Sequence, residues 1–214
     1  RQQDRLPLYE QALSQLAAQQ MTYACACSRK RLQGQSRYPA TCRNAHLNPA
    51  GHAMRLQVED RDLCFTDRIQ GQQCDNLQHS IGDFVLKRRD GIISYQLAVV
   101  VDDAAQGVTE VMRGADLLDN TARQIWLGHC LGLPTLRYAH LPLAMNANGQ
   151  KLSKQNLAQP LDHHNAGQLI RQALLALGQP DPAGGSAAQR LQHGVHYWQL
   201  ANIQPHVRLA GVYQ

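Results

Sequence analysis

Residues 88–120, RRDGIISYQLAVVVDDAAQGVTEVMRGADLLDN, decide the fold class. Arg88, Arg89 and Asp90-Gly91 make a charged turn, and Ile92 to Val101 is a ten-residue, mostly apolar run rich in Val and Ile. Such a run predicts a strand buried on both faces of a parallel sheet. It stops at Asp102-Asp103, and a second short strand, Val108 to Met112, ends at Arg113-Gly114. In open α/β sheets ligands bind beyond the carboxyl ends of the strands, so charged groups there are candidates for function. The stretch predicts an α/β fold with a site for a charged small molecule. The plainer alternative is an Asp-Asp helix cap and an Arg113–Asp116 pair.

The rest of the composition agrees with a packed domain. The chain has 214 residues, 43% of them hydrophobic, with only two Phe and two Trp, so Leu, Val, Ile and Ala must fill the core. No apolar run approaches the ~20 residues of a membrane span and nothing resembles a signal peptide, which predicts a cytoplasmic protein without a membrane partner. The net charge of +5 suits a nucleic-acid or phosphate partner without requiring one. Basic residues gather at Arg29, Lys30, Arg31, Arg37 and Arg43, and again at Lys87, Arg88 and Arg89. Gln3 to Gln19 reads as an amphipathic helix, with Leu6, Tyr9, Leu13 and Leu16 on one face and Pro7 near its start. A chain that opens at Arg1 with such a helix reads as the remainder of a longer one.

Six cysteines in a chain of this kind predict metal or plain burial rather than disulfides. Cys25 and Cys27 lie in TYACACSRKR, and Cys42 follows fifteen residues after Cys27 in SRYPATCRN. Three thiolates are one short of a closed tetrahedral zinc site, and the fourth ligand is Tyr38, His46, His52 or water. Cys64, Cys74 and Cys130 read as small buried hydrophobes.

Downstream lies HLPLAMNANGQKLSKQN, residues 140–156. His140 to Met145 predicts another buried strand, and Asn148-Gly149 a tight turn. Lys151, Ser153 and Lys154 then present two ammonium groups and a hydroxyl, which suits a pyrophosphate leaving group where negative charge develops.

These segments together resemble the class I aminoacyl-tRNA synthetases. KLSK is similar to their second signature loop, and the order DGIISYQLAVVVDD, GVTEVMRGADLLDNTARQ, LGLP, HLPL, KLSKQ resembles the glutamyl branch. The resemblance covers about residues 1–178. Within the branch it is closest to short members that stop soon after the lysine loop and carry a Cys-x-Cys, Tyr and Cys zinc site. Cys25, Cys27, Tyr38 and Cys42 fit that set. The chain ends about sixty residues after Lys154, too few for a full anticodon-binding domain.

The resemblance implies a Rossmann-type nucleotide-binding fold, incomplete at its N-terminus, with a zinc-bearing insertion and a short helical C-terminal region. It divides the chain into residues 1–20 (a helix of the first half of the catalytic fold), 21–79 (zinc-binding, tRNA-contacting insertion), 80–156 (second half of the catalytic fold) and 157–214 (helical region). It implies a monomer that activates glutamate with ATP and magnesium, without needing tRNA. The glutamate then passes to the queuosine base of the tRNA(Asp) anticodon. Tyr95 and Arg113 would bind glutamate; Lys154 would hold the ATP phosphates, supported by Lys151 and Ser153. Asp102 and Asp116 lie nearby in sequence without assigned roles. The alternatives are a truncated enzyme charging a tRNA 3′ end and a non-catalytic zinc-bearing RNA-binding module. The chain departs from the family in having no His-x-Gly-His signature and no N-terminal Arg/Ser segment; it reads as part of a longer protein with those elements ahead of Arg1, the alternative being a truncated protein that could not catalyse adenylation alone.

Overall fold

Helix α1 (Leu6–Ala18) forms where the apolar spacing predicts it, with Pro7 in its first turn. Tyr9 and Leu16 are buried and Leu13 packs against them, but Leu6 remains 48% exposed, so the buried stripe starts one turn later than its sequence spacing implies. The computed structural model describes residues 1–145, 148–152 and 161–205. The chain continues as β1 (Thr22–Cys25), β2 (Ala53–Leu56), β3 (Asp62–Asp67), β4 (Gly71–Asn76) and β5 (Phe84–Lys87). Then come α2 (Tyr95–Ala105), β6 (Glu110–Gly114), α3 (Leu118–Cys130), β7 (Arg137–Leu141), α4 (Ala166–Ala176) and α5 (Ala187–His196). Among the described residues no helix is long and apolar enough to cross a membrane.

The predicted strand over Ile92–Val101 is instead the entry to a helix, α2. The Ser94 hydroxyl accepts the Leu97 N–H at 3.4 Å and caps it. Leu97, Ala98 and Val100 then turn inward. An unbroken apolar run does not distinguish a buried strand from a buried helix, and here the serine cap decides for the helix. Asp102 consequently ends no strand. It lies within α2, where its carboxylate accepts the Arg5 Nε–H at 2.5 Å and the Tyr9 hydroxyl at 2.8 Å. The second predicted strand is present as β6, but Arg113 lies inside it rather than on the loop beyond.

A three-stranded sheet has the order β1-β2-β5, both pairs antiparallel, with Thr22 opposite Leu56 and Leu56 opposite Phe84. A four-stranded sheet has the order β4-β3-β7-β6, and in it β3 pairs with β7 in parallel at Asp67 and Tyr138. The fold is therefore α/β, but its parallel pairing involves neither end of the Ile92–Val101 run.

The chain divides into two compact units. The first comprises Arg1–Thr66, Gln72–Val111 and Asp119–Arg137; the second comprises Asp67–Gly71, Met112–Leu118 and the described part of Tyr138–Gln214. The core of the first is built from Leu16, Leu56, Leu77, Leu86, Leu97, Leu127 and Trp126. Asp83, whose side chain is fully buried, accepts from the Tyr23 hydroxyl at 2.6 Å, from Arg43 and from the Val58 N–H at 2.9 Å. Arg43 thus belongs to a packed ion pair rather than to a solvated basic cluster. The core of the second unit gathers Ile69, Ala139 and Ile203, with Leu141, Leu177 and Trp198 around them.

Cys64 and Cys74 correct another expectation. They form a disulfide between the neighbouring strands β3 and β4. The three-residue connection Arg68–Gln70 folds the strands side by side, and that pairing is invisible in the spacing of the two cysteines. Cys130 is a partly buried thiol, pushed up to about 12 by burial and by the Glu59 charge, and fits its reading as a small hydrophobe.

Candidate functional site

Each unit contributes its own set of candidate groups. In the first unit, β1 delivers Cys25 at its end, Cys27 follows, and the loop before β2 returns Tyr38 and Cys42. Cys25, Tyr38 and Cys42 are buried and pack as a small cluster of their own. The sulfurs of Cys25, Cys27 and Cys42 all lie within 4.8 Å of one another. The Tyr38 hydroxyl sits among them, 3.3 Å from Cys25 Sγ and 3.7 Å from Cys27 Sγ, and Cys27 Sγ is 3.6 Å from Cys42 Sγ. The same hydroxyl accepts the Cys42 N–H at 3.0 Å.

These separations can be compared with a tetrahedral metal site. Metal–sulfur bonds of about 2.3 Å and a metal–oxygen bond of about 2.0 Å put sulfurs roughly 3.8 Å apart and sulfur and oxygen roughly 3.5 Å apart. Three edges of the cluster, at 3.3, 3.7 and 3.6 Å, lie close to those values, and its thiol-rich donor set suits zinc. His46 and His52 do not join the three cysteines, and His52 Nδ1 meets Asn48 O at 2.9 Å. Burial opposes ionisation of Cys42, but hydrogen bonds from Tyr38, the Ala26 backbone and Cys27 outweigh it and bring that thiol down to about 7. Burial raises Cys27 and Tyr38. Gly82 supports the loop from behind: at φ +69° its backbone passes so close that a Cβ would stand 3.2 Å from Tyr38 O.

Tyr95 lies in the first turn of α2 and is 50% exposed, so its ring projects from a helix start rather than from a strand end.

In the second unit, Arg113 on β6 is held by a buried relay. Its Nε–H donates to His140 Nε2 at 3.0 Å and its Nη2 to Leu117 O at 3.3 Å, while the guanidinium carbon stands 5.7 Å from the Tyr138 ring centroid. His140 Nδ1 meets Asp67 Oδ2 at 2.6 Å, with both side chains fully buried. Asp67 Oδ1 also accepts the N–H groups of Ile69, Gln70 and His140 at 3.0, 2.8 and 3.1 Å. An arginine can only donate, so His140 Nε2 must be the acceptor and the ring proton must sit on Nδ1. His140 is therefore neutral, and its two ring nitrogens link Asp67 to Arg113. At Gly114 a Cβ would stand 2.5 Å from Asp116 Oδ1 and 3.2 Å from Leu143, so a side chain there would displace the Asp116 carboxylate.

Charge states follow from this packing. Burial depresses His140, while the hydrogen bond and charge of Asp67 only partly restore it. Burial also works against the Asp67 carboxylate, but the hydrogen bonds from Gln70, His140 and Ile69 prevail and hold it below 3.8. A depressed histidine binds its proton in the unfolded chain first, so stability falls as pH drops below the ordinary 6.5 toward the lower folded value. A depressed carboxylate adds stability that is present above 3.8 and is lost as pH falls further. Urea-midpoint measurements across this range should show both declines. The first should be smaller in His140→Asn, and an identical pH profile in that variant would contradict a neutral His140.

Asn148-Gly149 forms the predicted turn, with Met145 bridged to Lys151 and the Leu152 N–H donating to Ala144 O at 2.8 Å. Lys151 Nζ pairs with Asp116 Oδ2 at 2.5 Å, so Asp116 pairs with the lysine loop as well as lying two residues beyond Gly114. Ser153 and Lys154 lie outside the described residues. His140 and Asp67 escaped the sequence reading because nothing in a lone His on an apolar strand marks it as a partner of Arg113. The Asp-Arg-Ile-Gln-Gly turn at residues 67–71 was the available signal.

Comparison with known proteins then bears on this arrangement. A family model described as tRNA synthetases class I (E and Q), catalytic domain, matches residues 1–177. The chain is 58% identical over 212 residues to a protein of Acinetobacter baylyi named glutamyl-Q tRNA(Asp) synthetase, covering 99% of this chain and 73% of that one. It is 46% identical over 207 residues to the protein of the same name from Ectopseudomonas mendocina, covering 95% and 70%. A crystal structure of a glutamate tRNA ligase from Elizabethkingia meningosepticum, in complex with its amino acid, superposes with a TM-score of 0.76 at 20% identity. That match covers 98% of this chain and 51% of the other, so the chain spans about half the length of the solved structure. At that identity the likeness concerns the fold alone.

Proposed function

The chain belongs to the class I glutamyl- and glutaminyl-tRNA synthetase family, matching its catalytic domain, and from that premise we propose that it activates glutamate with ATP and transfers it to the queuosine base of the tRNA(Asp) anticodon. The observation that favours queuosine over a tRNA 3′ end is the 58% identity, across 99% of the chain, to a relative named for that activity. The proposed setting is a cytoplasmic monomer, with magnesium accompanying ATP.

In this reading Arg113 receives a carboxylate of glutamate. Its planar donor fork suits a carboxylate, and the His140–Asp67 relay sets the plane of that fork before substrate arrives. Tyr95 offers a hydroxyl to the same substrate. Glutamate oxygen attacks the α-phosphorus of ATP and pyrophosphate leaves. Lys154 stabilises the charge that develops there, with Lys151 and Ser153 beside it. No covalent bond to the enzyme is needed; positioning and electrostatics supply the acceleration. Cys25, Cys27, Tyr38 and Cys42 would hold zinc. A closed set of four protein donors leaves no position for substrate, so zinc there would fold the loop rather than take part in chemistry.

The test is incubation of the full-length protein with labelled glutamate, ATP and tRNA(Asp) that carries or lacks queuosine. Label should enter only the queuosine-bearing tRNA(Asp) and resist removal of the 3′ end. Label on tRNA(Glu) would overturn the proposal in favour of 3′ charging, and no label on any tRNA would favour a non-catalytic RNA-binding module. Separately, Cys27→Ser should lose most of the zinc that the wild type binds; equal zinc in both would contradict this ligand set.

A further inference from the structure

Arg55 on β2 is an arginine whose charge the fold leaves without an anion. It is only 7% exposed, and a guanidinium keeps its charge at every accessible pH. Its Nη1 donates to Asp83 main-chain O at 2.9 Å, and its Nε is buried with no hydrogen-bond partner. The nearby Asp83 carboxylate is already committed to Arg43, Tyr23 and the Val58 N–H. Among the described residues Arg55 makes no ion pair with a carboxylate. Its guanidinium carbon instead lies 3.7 Å from the centroid of the Tyr38 ring.

A buried cation without an opposite charge is unfavourable, and the face of a neutral ring compensates it only in part. The missing anion has an evident source in the neighbouring cluster. A divalent metal held by three thiolates and a phenolate carries a net negative charge, because the ligands bind deprotonated. The geometry points to Arg55 as the counter-charge and positioning residue of that metal centre, stacking on the outer face of Tyr38 and balancing the charge the bound centre creates. This rests on the zinc reading of Cys25, Cys27, Tyr38 and Cys42. Arg55 contacts no metal itself and acts through Tyr38. Arg43, within this loop, differs in having its charge matched by Asp83.

The experiment is a zinc competition titration against a chelating indicator, on full-length wild type, Arg55→Met and Arg55→Lys, together with melting temperatures of the metal-free and zinc-loaded forms. Arg55→Met should weaken zinc binding by roughly 10- to 100-fold, the range of outer-shell partners that orient a ligand. Without metal it should melt no lower than the wild type, since it replaces an unpaired buried charge by an apolar chain of similar length. With zinc it should melt lower. Arg55→Lys keeps the charge and loses the flat stack, so its zinc affinity should fall between the two, and it provides the comparison should Arg55→Met not fold. Zinc affinities in either variant within twofold of wild type, or an equal loss of stability with and without zinc, would overturn the role. A wild type that takes up no zinc would instead remove the zinc reading and this inference with it.

Discussion

Arg113→Lys is expected to lower kcat/KM for glutamate by roughly two to three orders of magnitude, measured as glutamate-dependent ATP–pyrophosphate exchange. The size follows from what lysine cannot do. A carboxylate meets a guanidinium through two parallel N–H donors, whereas an ammonium offers a point charge on a flexible stem. Lysine also cannot reproduce the grip of the surrounding protein, in which Nε binds His140 and Nη2 binds Leu117 O. Losing one charged hydrogen-bonding partner of a bound ion costs about 2–5 kcal/mol, and each 1.4 kcal/mol is about tenfold. The KM for ATP should change little, because the proposed phosphate contacts lie on the lysine loop. A variant within threefold of wild type would remove Arg113 from the proposed glutamate site.

Asp67→Asn should lower the same constant by about 10- to 100-fold, although Asp67 touches no substrate. Its Oδ1 accepts three backbone N–H groups, so in the amide the oxygen takes that place and the nitrogen faces His140. An amide nitrogen donates. His140 Nδ1 must then accept, and the ring proton moves to Nε2, where it confronts the donating Nε–H of Arg113. The relay is inverted without a cavity being opened. A role in stability alone would leave the glutamate KM unchanged; the relay predicts that KM rises. His140→Gln is the informative companion, since its amide can donate to Asp67 and accept from Arg113, and it should retain more activity than Asp67→Asn. Equal or greater activity in Asp67→Asn would sink the relay.

Several features were legible in the residues because their physics is local. The face of α1 and the Asn148-Gly149 turn each depend on neighbours within a few positions. The three cysteines were legible as a set that could hold a metal; the spacing alone left four possibilities for a fourth donor, the family resemblance pointed to Tyr38, and in the structure its hydroxyl lies among the sulfurs. Ile92–Val101 was misread because its β-branched residues outweighed a single serine cap, and Asp102 was misplaced with it.

By itself, the sequence determined the α/β class and the resemblance to the synthetase family, and it singled out the cysteine set and Arg113 as candidates, since each depends on residue identity and order along the chain. Only the tertiary structure decided the partners across long separations. It paired Cys64 with Cys74, set Arg5 and Tyr9 on Asp102, joined Asp67 through His140 to Arg113, and laid Arg55 on Tyr38. Burial is the reason. Taken out of water, a charge or hydrogen-bonding group must find its partner in the protein, and which partner it finds depends on strand register and loop path rather than on spacing.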